Sequence, residues 1–117
     1  MTLEQFLSLV HSENLIEFEQ TMEVIDKNYS YTPMGFRNGL GDHQVFNEAG
    51  QNAGSCKIFN FARIHQLSEV HTLKLFGRYY REDVLQHPEG SDHANIRNFI
   101  RDGWSGIRFE GDALEPD

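Results

Sequence analysis

Two side chains in this sequence have the chemistry of a nucleophile and its base: Cys56, the only cysteine, and His93. A thiolate attacks acyl or disulfide centres when an imidazole within hydrogen-bond reach takes its proton and backbone N–H groups hold the developing charge. Ser55 reads as the cap of a helix that starts at Cys56, where unpaired amides and the helix dipole favour thiolate. His65 is excluded as the base, because it lies roughly 13 Å further along that helix axis and on its opposite face. His93, at the opening of the last helix, is the base that remains. The competing reading makes Cys56 a small buried hydrophobe ahead of Ile58 and Phe59, and His93 a partner for a nearby backbone group.

The run from 47 to 57 packs Asn47, Glu48, Gln51, Asn52, Ser55 and Lys57 around Gly50 and Gly54. Such amides serve Asx turns and backbone caps. At this density ahead of a helix they can also line a surface for a small polar ligand or a protein partner. Asn38 joins this set, with Tyr80, Arg81, His93 and Asn95 as second contributors. His87, Asp92 and His93 match neither HExxH nor a fixed Cys/His pattern, so no metal is expected. Gly54-Ser55-Cys56-Lys57 lacks the rest of a nucleotide-binding loop, so no cofactor is expected either. Arg78 with Arg81, and Arg97 with Arg101, are spaced to clamp an acid or to pair with Glu82, Asp83 or Asp102 on the surface.

These residues need elements to position them. Thr2 and Gln5 form a capping-box signature ahead of Leu3, Phe6, Leu7 and Val10 at helical spacing. Asn14 and Glu17 repeat that signal before the stripe Phe18, Met22, Ile25 and Tyr29, and Thr32-Pro33 stops the second helix. Residues 36 to 38 and 44 to 47 can pair across Gly39-Leu40-Gly41-Asp42 as a hairpin. A buried helix is expected from Cys56 to Leu67. Another, capped by Ser68, carries Leu73, Gly77, Tyr80 and Val84 on one stripe, with Gly77 marking a close approach. After His87-Pro88, Ser91 or Asp92 caps a helix whose Ile96, Phe99 and Ile100 face inward. Gly103 ends it, with Trp104 returning to Phe99. Residues 107 to 109 add a strand. The pattern predicts a mainly helical α+β domain over 1–109, four to five helices around one core with a small hairpin or short sheet, and an acidic frayed tail at 110–117.

Nine Phe and four Tyr supply core area although hydrophobic residues make up only 38% of the 117-residue chain. The net charge of −8 is uneven: about −5 over residues 1–31 and about −4 over 110–117, against about +2 between 55 and 109. That balance repels phosphate backbones and argues against nucleic acid as a partner. No apolar run is long enough to span a bilayer, and no secretory leader is expected. A single cysteine forms no internal disulfide, and a monomer in a reducing cytoplasm is expected.

Phe36-Arg37-Asn38-Gly39, the 47–57 run, the block from Phe76 to Leu85, His87-Pro88, the block from His93 to Phe99 and Gly103-Trp104 together resemble the HopJ type III effector family, over nearly the whole chain. The resemblance implies a small bacterial protein described as an effector delivered to host cells, with no catalytic mechanism to transfer. Expected function is therefore binding of a partner or small polar ligand through residues 38–57. The alternatives are a cysteine-dependent enzyme using Cys56, and a housekeeping protein retained in the bacterial cytoplasm.

Overall fold

A computed structural model describes residues 1–117. The first helix, α1 (Leu3–Val10), has the expected capping box between Thr2 and Gln5. α2 (Phe18–Asn28) is capped by Glu17 with Gln20, not by Asn14 with Glu17. It ends before Thr32-Pro33 because Tyr29 enters a strand, β1 (Tyr29–Tyr31). β2 (Phe36–Asn38) and β3 (Val45–Asn47) form the expected hairpin, with Phe36 opposite Asn47 and Asn38 opposite Val45. The central helix α3 (Ala53–Ile64) begins three residues earlier than Cys56.

The segment after Ser68 is not one helix. α4 (Glu69–Lys74) starts at the expected Ser68 cap. The chain then turns at Gly77 (φ +62°) and resumes as a π-helical turn, Tyr79–Val84. A Cβ at Gly77 would lie 2.6 Å from the backbone nitrogen of Phe18, so both the backbone conformation and the close approach require glycine. α5 (Ala94–Asp102) follows His93, and Gly103 ends it at φ +60°, with Trp104 packed edge-on to Phe99 at 5.1 Å as expected.

β4 (Arg108–Phe109) completes a three-stranded antiparallel sheet in the order β3-β2-β4. The expected frayed tail is corrected by β5 (Leu114–Pro116), which pairs antiparallel with β1. Ala113 and Leu114 are buried there, so apolar burial and strand hydrogen bonds hold the acidic segment in place. A cluster of 22 residues forms the core. α3 runs through it, and its Phe59 ring contacts Phe36, Phe76, Phe99 and Trp104 at 5.0 to 6.4 Å. Ile100 is 44% exposed rather than inward, since the core stripe of α5 runs through Ile96 and Phe99.

Candidate ligand cleft

Four asparagines tie the hairpin to α5 beneath the site. Asn47 donates to Asn95 Oδ1 (3.1 Å) and accepts through Oδ1 from Asn95 (2.9 Å) and Asn52 (2.7 Å). Asn38 donates to the backbone oxygen and Oδ1 of Asn95, at 2.8 and 3.0 Å. Asn98 donates to the Asn38 and His43 carbonyls. Asn38, Asn47, Asn95 and Asn98 are all buried. Their amides are therefore largely consumed in holding β2, β3 and α5 together. Only Asn38 Oδ1 is left without a partner. Asn38 and Asn47, expected to contact a ligand, are corrected to structural residues.

Above this network α3 and α5 begin side by side. Each starts from a non-glycine residue in the left-handed region, Asn52 (φ 49°) and His93 (φ 53°). Such a conformation costs roughly 1–2 kcal/mol for an L-residue. It is held by the Asn52–Asn47 hydrogen bond and by His93 Nε2, which lies 3.0 Å from Asp83 Oδ2. Neither Asn52 nor His93 caps its helix with its own side chain, so first-turn amides of both helices are left for other partners.

A cleft of about 370 Å³ lies between the two helix starts. Asn52, Gly54 and Ser55 line it from α3, and His93, Ala94, Asn95 and Ile96 from α5, with Val45, Phe18, Phe76 and Tyr79 completing it. Phe18, Tyr79 and His93 form one continuous wall, with ring centroids 5.1 and 5.3 Å apart. Arg81 fixes that wall: it donates to the Ile16 carbonyl and to Glu17 Oε1, both at 2.7 Å. The same guanidinium, helped by Arg78, holds the Glu17 carboxyl below the usual carboxylate range.

The expected Cys56–His93 pair is not formed. Cys56 is fully buried and is not among the residues that line the cleft. Its thiol faces the Met34 carbonyl at 3.5 Å, next to the Tyr31 hydroxyl. Burial pushes the thiol pKa up, and its backbone N–H is already bonded to the Asn52 carbonyl. The features expected to make a thiolate are absent, because α3 starts at Ala53 and places Cys56 beyond the unpaired first turn.

Of the other expected residues the cleft gathers Asn52, Ser55, His93 and Asn95. Gln51 accepts from the Glu48 backbone in an exposed turn. Lys57 pairs with Asp26 at 2.7 Å and lies over the Tyr31 ring, away from the cleft. Tyr80 lies outside the lining. Of the arginines, Arg101 takes the expected Asp102, but Arg78 reaches Glu17 and Glu19 and Arg97 takes Asp92. With Asp92 spent on Arg97 and His93 on Asp83, no three His, Cys, Asp or Glu side chains converge as metal ligands.

Helical spacing missed Phe18, Tyr79 and Asp83. Its stripe through Gly77 and Tyr80 assumes an unbroken α-helix, whereas the break at Gly77 and the wider π turn rotate Tyr79 inward. The adjacent aromatics Tyr79-Tyr80 were the available signal.

This arrangement is a small α+β domain whose cleft lies at two helix starts, with the thiol buried outside its lining. A family model described as "HopJ type III effector protein" matches residues 3–114, and the chain belongs to that family. It is also similar to a crystal structure titled as an unknown function protein, VPA0580, at 52% identity and a TM-score of 0.94, covering 100% of this chain and 95% of that one. No curated protein is significantly similar. No helix is long and apolar enough to cross a membrane.

Proposed function

We propose that this HopJ-family protein acts by binding a small polar ligand in the cleft between α3 and α5, with the side chains of Asn52, Ser55, Tyr79 and His93 and the backbone of Asn95 as contacts. One observation carries the reading: the cleft joins an aromatic wall to polar groups with hydrogen-bonding capacity left over. The Ser55 and Tyr79 hydroxyls and one nitrogen of His93 have no protein partner, and buried amides fix their neighbours in place. A concave, partly apolar site with a few oriented polar groups is the usual form of a small-molecule site. The working surface is thus narrower than the whole 38–57 segment, since Asn38, Asn47, Gln51 and Lys57 are engaged elsewhere and Glu48 lies outside the lining.

A fragment screen read by amide NMR tests this. Hits are expected to shift Asn52, Ser55, Ala94 and Asn95, and Ser55→Trp, which fills the cleft, is expected to abolish them while the spectrum stays folded. Hits that never touch these amides refute the site.

Delivery into a host cell is supported by the family description alone. The second reading is a protein working inside the bacterium. A translocation reporter fused to the chain separates them: signal in the host cytosol favours delivery, and its absence under conditions that export a control effector favours retention.

A further inference from the structure

The pairing of His93 with Asp83 determines what the imidazole can offer to a ligand. Nε2 lies 3.0 Å from Asp83 Oδ2, and His93 lines the cleft whereas Asp83 does not. An ionised carboxylate only accepts hydrogen bonds. A neutral His93 therefore carries its proton on Nε2 and leaves Nδ1 as a bare acceptor. Asp92 Oδ2 sits 3.9 Å from the same Nε2 and reinforces that tautomer, while Arg97 draws Asp92 to itself at 2.6 Å.

Charge around the cleft points the same way. No lysine or arginine lines it, and the nearby Arg78 and Arg81 are engaged by Glu17 and Glu19. The two helix starts contribute roughly half an elementary charge each, spread over their amides and set against the full charge of Asp83. A carboxylate or phosphate would meet a lone pair at Nδ1 with no free cation to offset it. A flat uncharged ring would instead lie against Tyr79 and Phe18, as His93 itself stacks on Tyr79 at 5.3 Å.

We propose that the cleft selects an uncharged molecule with a flat apolar body that presents an O–H or N–H to His93 Nδ1, and disfavours carboxylates and phosphates. This rests on the cleft reading above and adds the chemistry of the ligand.

The test uses the full chain at pH 8 and three probes sharing one ring: phenol, anisole, which lacks the donor, and benzoate, which is anionic. Phenol is expected to shift the Asn52, Ser55 and Ala94 amides with an affinity at least about fivefold above anisole and benzoate, the worth of one hydrogen bond. Long-range ¹⁵N spectra are expected to show the His93 proton on Nε2, with phenol moving the Nδ1 resonance. His93→Phe, which keeps a ring against Tyr79, is expected to level phenol with anisole. Equal affinity for phenol and anisole, or tighter benzoate, overturns the selectivity and leaves the cleft as a binding site. Failure of all three to move the cleft amides at saturating concentration overturns the cleft reading and this inference together. A proton found on Nδ1 overturns the inference without any ligand, so the test survives a misfolded variant.

Discussion

Adjacent residues of α3 meet opposite surroundings. Ser55 lines the open cleft, while Cys56 on the next position is sealed against Met34 and Tyr31. The same division runs through the asparagines, with Asn47 locked in the interior and Asn52 at the rim, one hydrogen bond away. Composition marks all four as candidates for chemistry. What separates them is which side of a helix start each one faces, and that depends on where the helix begins.

The comparison breaks most sharply at the thiol. A soluble disulfide reagent is expected to label native Cys56 at least about a thousandfold more slowly than the unfolded chain, because access requires opening against most of the folding free energy. Rapid labelling of folded protein at pH 7 would return Cys56 to the list of functional groups.

Next in size is Gly77→Ala, which forces a Cβ to 2.6 Å from the Phe18 nitrogen and holds alanine at positive φ. A loss of about 3 kcal/mol is expected in urea denaturation. Retained stability would mean that the turn can move.

Asn47→Ala and Asn52→Ala then sharpen the division between interior and rim. Removing Asn47 leaves the buried Nδ2 of Asn95 without its acceptor and is expected to cost about 2–3 kcal/mol, whereas Asn52→Ala is expected to cost under about 1 kcal/mol and to weaken cleft binding. Equal costs would show that the network does not end where the cleft begins.

The smallest effect concerns a half-buried pair, the Tyr29 hydroxyl and His65 Nε2 at 2.6 Å. Burial holds His65 below the ordinary value of 6.5, so the unfolded chain takes up its proton first as pH falls. The associated stability is intact above 6.5 and declines as pH drops through and below it. The melting temperature is expected to fall more steeply in that window for the natural chain than for His65→Gln, and parallel curves would refute the assignment.

Much of this was legible in residue order. The capping box at Thr2, the Ser68 cap, the hairpin at 36–47 and the stop at Gly103-Trp104 each rest on interactions within a few residues, which local patterns encode. Four of the cleft residues were legible too, as polar groups beside helix starts. The aromatic wall was not, because Phe18 and Tyr79 meet only through the Gly77 turn and the Arg81–Glu17 tie, contacts across roughly sixty positions that no local period reports. The β1–β5 pairing was hidden in the same way, behind a tail whose acidity outweighed Ala113 and Leu114.

Gly77 also has a bearing on evolvability. With no side chain there, two backbone segments sit at contact distance, so the spacing between the Gly77 turn and residues 16–18 is set by main-chain atoms that mutation elsewhere leaves in place. Substitutions on the cleft lining can then change its walls while that main-chain spacing stays as it is.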